Sequence, residues 1–173
     1  KDLEALVELA RGLDIALPLL EGVTTSNRLQ VEQACRVVGD AARRTPGKIG
    51  FVGLAFKPGT DDLRRSPSLA IIRHLLRDGF EVGIFDDSVD GGSVAASGND
   101  GMSEVAARLE DDLSRLVRES RVLVVDDRFL ADREAEVPDF GDTVVIELNH
   151  ALSGLPAGAG GEARAVAVTL RSA

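Results

Sequence analysis

The stretch from Lys48 to Pro67, KIGFVGLAFKPGTDDLRRSP, constrains the fold more than any other part of the chain. Its first part, Lys48 to Phe56, is an apolar run carrying β-branched residues and glycines, the pattern of a buried strand that opens an α/β unit. Pro58-Gly59 then enforces a turn, and Ser66-Pro67 supplies an N-cap followed by proline at the first helical position. Strand, loop and helix in that order put the loop at the carboxyl end of a strand, where open α/β sheets bind their ligands. Lys57 and Arg64 bracket the loop, so an anionic ligand is expected there.

The sequence that follows repeats this alternation. Leu69, Ala70, Ile71, Leu75 and Leu76 give a helix face that stops at Asp78-Gly79. Glu81 to Phe85 reads as a second strand, Arg121 to Val125 as a third and Thr143 to Leu148 as a fourth, with Ala165 to Val168 as an added edge strand. Helices are expected over Met102 to Leu109, Asp112 to Arg118 and Phe129 to Glu136, and loops over Val89 to about Asp100 and Ser153 to Gly161. Such spacing implies an α/β fold, a Rossmann-like doubly wound parallel sheet with right-handed crossovers. Asp86 lies at the carboxyl end of the second strand, where an acid in a nicotinamide-binding unit grips a ribose. The glycine fingerprint of such units, G-x-G-x-x-G, is absent after the first strand, so Asp86 reads instead as a loop or cap residue.

Two helices precede the sheet. Lys1 to Asp14 carries Leu3, Leu6, Val7, Leu9, Ala10 and Leu13 at helical spacing, with Asp2 and Glu4 in the first turn, where they suit the dipole. Pro18 to Arg44 forms a longer helix with a wide apolar stripe, closed by Arg43, Arg44 and the stop Thr45-Pro46-Gly47. Nothing before it forms a sheet, so this stripe must pack on the first helix, on the following domain or on a second copy of itself. The expected division is a helical, dimerising segment over 1–46 and a Rossmann-like binding domain over 47–173.

Composition narrows the function classes. The formal net charge of −9 argues against a nucleic-acid partner. Apolar residues at 44% and charged residues at 28% describe a globular chain that can bury a core. No apolar run approaches the ~20 residues a spanning helix needs, and the start does not resemble a cleavable leader, so the expectation is a cytoplasmic protein without a membrane partner. The single Cys35 reads as a small buried hydrophobe, and the isolated His74 and His150 offer no metal-ligand spacing.

The string from Gly53 through Lys57, Gly59, Asp61, Asp62 and Arg64 to Pro67 resembles the signature of the C-terminal domain of the UDP-glucose/GDP-mannose dehydrogenase family, the nucleotide-sugar 6-dehydrogenases. It departs at Arg65, where the family usually has Glu, which alters the loop's local charge pairing. Lys1-Asp2-Leu3 resembles the continuation of the family's catalytic-cysteine loop, which implies a chain beginning just after that cysteine. Ser26-Asn27 and Gln30-Val31 resemble pairs in the central helix of the GDP-mannose branch. UDP-sugar members usually carry Asp-x-Arg-Asn after the fourth strand; here the stretch is Glu147-Leu148-Asn149-His150, without the arginine. His150 reads as a surface residue.

The resemblance implies two NAD-dependent oxidations of a C6 alcohol to a carboxylate, with the aldehyde held as a thiohemiacetal on a cysteine, in polysaccharide biosynthesis. It implies that Phe56 and Lys57 contact the nucleotide sugar, that Arg64 reaches across the domain cleft to NAD, that Lys1 lies near the nicotinamide, and that Asp2 helps order the hydrolytic water. Asp61 and Asp62 are expected to brace the loop through backbone N–H groups or Arg64. A chain of this extent should bind part of a ligand and turn over nothing, with GDP-mannose favoured, UDP-glucose the alternative, and a homodimer formed through Pro18 to Arg44. A binding or dimerisation module that has lost the chemistry is the reading from another class.

Overall fold

The computed structural model describes residues 2–55, 59–64, 66–96, 101–126, 140, 142–148 and 166–168. Two helices, α1 (Asp2–Gly12) and α2 (Pro18–Arg44), precede the strands β1 (Lys48–Val52), β2 (Val82–Phe85), β3 (Ser120–Asp126), β4 (Val144–Leu148) and β5 (Val166–Val168). Between the strands lie α3 (Pro67–Arg77), α4 (Gly91–Ala96), α5 (Met102–Ala106) and α6 (Leu113–Glu119). The strands form one parallel sheet in the order β2-β1-β3-β4-β5.

Both faces of the sheet are covered, and strand alternation assigns the residues. Ile49 and Phe51 of β1, Val122 and Val124 of β3 and Ile146 and Leu148 of β4 join the larger core with α2 and α3. Val52, Leu123, Val125 and Val145 turn to the other face, against Leu116 and Val117 of α6. Close approach on this second face favours glycine at Gly83, where a Cβ would meet the end of the Lys48 side chain at 2.6 Å and of the buried Leu116 at 2.7 Å, so both would have to shift.

Beyond β2, residues 108–110 supply a single parallel bridge: Ile84 N–H donates to Arg108 C=O at 2.9 Å and Glu110 N–H to Ile84 C=O at 2.8 Å. With that bridge counted as a residual strand, the order becomes 3-2-1-4-5-6, the dinucleotide-fold order, which explains why the sheet is Rossmann-like. The helix expected over Met102 to Leu109 therefore stops early, because its last residues pair with β2.

Two further expectations are corrected. The first strand ends at Val52, not Phe56: Gly53 takes φ 93°, and the next two N–H groups leave the ladder for a side chain. The stretch from Val89 to Asp100 contains the short helix α4, whose Val94 is buried in the main core. The expected helix Phe129 to Glu136, the loop Ser153 to Gly161, and Arg65, Asn149 and His150 lie outside the described residues.

The long helix is packed unevenly. Ala34, Cys35, Val38, Ala41 and Ala42 in its second half are buried in the main core, small side chains that let α2 lie close to α3 and the sheet. Burial pushes the Cys35 thiol above its usual pKa, keeping it protonated, as befits a small hydrophobe. Leu19 and Leu29 in the first half are 79% and 50% exposed, and Leu6 and Leu9 of α1 and Leu13 and Ile15 of the connection are also exposed. Arg11 reaches Glu21 at 3.3 Å across the α1–α2 turn. Of the three covers considered for the α2 stripe, the first helix and the following domain both contribute. Among the described residues, no helix is long and apolar enough to cross a membrane.

Candidate functional site

The chain passes from β1 outward to β2 and then returns across β1 to β3, so strand order reverses between β1 and β3. Crossovers diverge at such a point and leave a crevice outside the carboxyl ends of the strands. Residues 53–66 leave β1 at this crevice.

Buried hydrogen bonds fix the loop at its root. Asp86, 7% exposed at the end of β2, accepts from Leu54 N–H at 2.8 Å and Ala55 N–H at 3.0 Å through Oδ2, and from Ser88 N–H at 3.0 Å through Oδ1. Ser66 Oγ donates to Leu54 C=O at 2.6 Å and accepts from Leu69 N–H at 3.2 Å, so one hydroxyl caps α3 and ties the loop's far end to its start. Leu63 packs against the main core, and Gly59, at φ 70°, makes a turn that favours glycine.

The loop's charge is presented differently. Arg64 is 73% exposed and grips Asp62 with Nε and Nη2, each at 2.8 Å, while its own N–H donates to Asp62 Oδ1 at 3.1 Å. The Asp62 hydrogen bond, then its charge, raise the guanidinium pKa, so Arg64 is a fixed cation. Asp62 thus braces the loop through Arg64 and the backbone together.

These bonds decide what the crevice can hold. In a dinucleotide site the acid after β2 faces a ribose and the first helix offers free N–H groups to a pyrophosphate. Here the Asp86 carboxylate is taken up by the loop, Pro67 has no N–H, and Leu69 N–H is satisfied by Ser66. The β1–α3 turn therefore does not fit NAD in that mode.

Of the residues singled out for function, Arg64 alone has a described side chain. Asp2 opens α1 as a helical residue; Lys1, Phe56 and Lys57 lie outside the described residues. Two acids not singled out in the sequence, Asp126 at the end of β3 and Glu147 in β4, are buried on the same edge, 5% and 1% exposed. Their signal is an acid set within or directly after an apolar strand.

Residues 50–127 match the family model described as UDP-glucose/GDP-mannose dehydrogenase family, UDP binding domain. The GDP-mannose 6-dehydrogenase of Pseudomonas savastanoi pv. phaseolicola is 35% identical over 138 residues, covering 76% of this chain and 31% of its own length. The chain belongs to the UDP-glucose/GDP-mannose dehydrogenase family. It spans about a third of the length of the GDP-mannose 6-dehydrogenases it matches. A UDP-glucose 6-dehydrogenase of Pseudomonas aeruginosa is 37% identical over 97 residues, 55% of this chain and 21% of its own. Among solved structures, a ternary complex of GDP-mannose dehydrogenase from Pseudomonas aeruginosa superposes with a TM-score of 0.69 at 27% identity, covering 96% of this chain and 37% of that one. The family model thus covers the sheet from Gly50 of β1 through β3 and the loop whose anchoring is described above.

Proposed function

We propose that this chain forms the nucleotide-sugar-binding part of an NAD-dependent nucleotide-sugar 6-dehydrogenase, with 1–46 as the helical segment through which two copies associate and 47–173 as the binding domain. The observation that carries the reading is the signature loop, anchored by Asp86 and Ser66 at the strand-order reversal, with the Arg64 cation facing outward. The Arg64 guanidinium braces the loop through Asp62 and is still 73% exposed, which leaves it accessible to an anionic ligand.

Phe56 and Lys57 then contact the nucleotide sugar, Lys57 opposite the diphosphate, and Arg64 reaches NAD bound chiefly by another part of the enzyme. Lys1 and Asp2 belong to the loop of the catalytic cysteine, which the reaction requires from outside residues 1–173. NAD would supply the hydride acceptor for oxidation of the C6 alcohol to the carboxylate. The exposed Leu6, Leu9, Leu13, Ile15, Leu19 and Leu29 support association of two copies, and the reading places the enzyme in the cytoplasm.

GDP-mannose is the favoured substrate, supported by the GDP-mannose 6-dehydrogenase relatives, by Ser26-Asn27 and Gln30-Val31, and by the missing arginine in Glu147-Leu148-Asn149-His150. UDP-glucose is the second reading, favoured by the family model's description and the UDP-glucose 6-dehydrogenase relative.

A thermal-unfolding titration with GDP-mannose, GDP, UDP-glucose and NAD tests this, since a ligand of the native state at a hundred times its Kd stabilises by about 2.7 kcal/mol. A rise in Tm with GDP-mannose and GDP is expected. A rise with UDP-glucose alone selects the second reading, and no rise with any nucleotide sugar counts against a binding role for this chain.

A further inference from the structure

Asp86 has an unusual set of partners for an acid at this place. It sits at the carboxyl end of β2, 7% exposed, and its described hydrogen bonds run to three backbone N–H groups, those of Leu54, Ala55 and Ser88. Leu54 and Ala55 lie just beyond the end of β1. Their N–H groups would otherwise be buried without acceptors, so the carboxylate does for two residues what a neighbouring strand does for the rest of β1. Ser66 holds the carbonyl of Leu54 from the other side at 2.6 Å. Both polar groups of Leu54 are thereby fixed, which holds the backbone at the root of the loop.

We propose that Asp86 is the positioning residue of the nucleotide-sugar loop: its carboxylate orients the Leu54–Ala55 backbone at the loop's root, and ligand affinity depends on that root being held. The acid that would bind a ribose in a dinucleotide site has turned inward and binds the protein's own backbone. Pre-ordering removes the entropy cost of fixing the loop on association, so its loss appears in affinity. The inference rests on the nucleotide-sugar reading above.

The test compares Asp86→Ala, Asp86→Asn and a control, Val117→Ala, in the 173-residue chain. Val117 is buried against the opposite face of the sheet, so its truncation lowers stability without touching the loop. Calorimetric Kd values for GDP-mannose, Tm, and amide exchange at Leu54 and Ala55 are measured on each. Losing bonds to a charged acceptor should weaken binding by about ten- to a hundredfold in Asp86→Ala. Exchange at Leu54 and Ala55 should accelerate while that of β3 stays slow. Asp86→Asn, whose Oδ1 can accept from Leu54 and Ala55 while its Nδ2 cannot accept from Ser88 N–H, should recover part of the affinity, and it decides the matter if the alanine variant does not fold.

Unchanged affinity in Asp86→Ala, or an equal loss in Val117→Ala, overturns the proposal. If the wild type binds neither GDP-mannose nor UDP-glucose, it is the proposed function that has failed. Exchange then decides alone: acceleration confined to residues 53–66 keeps Asp86 as the loop's positioning residue, and unchanged exchange removes it.

Discussion

The two edges of the sheet use the same kinds of charged side chain to opposite ends. At the amino edge Lys48 is 14% exposed and lies between Glu110 at 2.6 Å and Glu119 at 2.9 Å, while Arg115 closes on Glu119 at 2.9 Å. Cation and carboxylate neutralise each other across β1, α6 and the segment before α6. At the carboxyl edge the buried carboxylate of Asp86 holds backbone N–H groups, and the cation Arg64 stands 73% exposed beside its loop neighbour Asp62. Charges closed on one another stabilise the fold. At the carboxyl edge a carboxylate orders backbone and the Arg64–Asp62 pair stays exposed, the arrangement on which the proposed function draws.

The largest effect that would test this contrast is at Gly83. A methyl group there meets Lys48 Cε, Leu116 Cδ1 and the Glu110 carboxylate, so Gly83→Ala should cost about 1–3 kcal/mol in urea unfolding, as overpacking generally does. A neutral result would mean that the amino-edge cluster gives way easily and is no more rigid than the loop opposite.

A smaller effect should appear on acidification. The hydrogen bond from Arg115, then that from Lys48, hold the Glu119 carboxyl down to about 2 from its ordinary 4.5. Burial alone would lower the Lys48 pKa, but its hydrogen bonds to Glu110 and Glu119 leave it raised. Because the folded carboxyl is the stronger acid, its contribution is complete above about 4.5 and lost as pH falls toward about 2. The urea midpoint should therefore drop through this window, and drop less steeply in Lys48→Met. Equal slopes in the two proteins would remove Lys48 from the cluster's acid response.

The smallest stability effect belongs to Arg64. Its partner is adjacent in the loop and the pair is exposed, so Arg64→Ala should shift unfolding by less than about 0.5 kcal/mol. A loss above about 1 kcal/mol would make Arg64 a structural cation like Lys48 and erase the contrast between the edges.

Much of the framework was legible because its signals are local. Pro18 and the Thr45-Pro46-Gly47 stop delimit α2, and Ser66-Pro67 opens α3 as a cap and first residue should. The end of β1 was not legible: Gly53 to Phe56 continues an apolar run, and the acceptor that pulls Leu54 out of the ladder lies 32 residues away. The same holds for Lys48, whose partner Glu119 is 71 residues downstream. Residues 108–110 read as the tail of a helix because nothing in their own spacing announces the bridge to Ile84. At the site, the loop and its outward cation were readable, as was Asp86 as a loop residue. That Asp86 and Ser66 converge on the same residue, Leu54, required the fold.

The bridge at residues 108–110 bears on how this chain behaves in company. An edge strand with free N–H and C=O groups is a template on which other chains can add strands, and β2 is short, apolar and set at the rim of the sheet. The outward N–H and C=O of Ile84 are already taken by Arg108 and Glu110, with a carboxylate immediately beside them. A single pair of hydrogen bonds thus closes the rim of β2 at Ile84 to intermolecular β-pairing, and that protection comes from three residues that belong to no strand of their own.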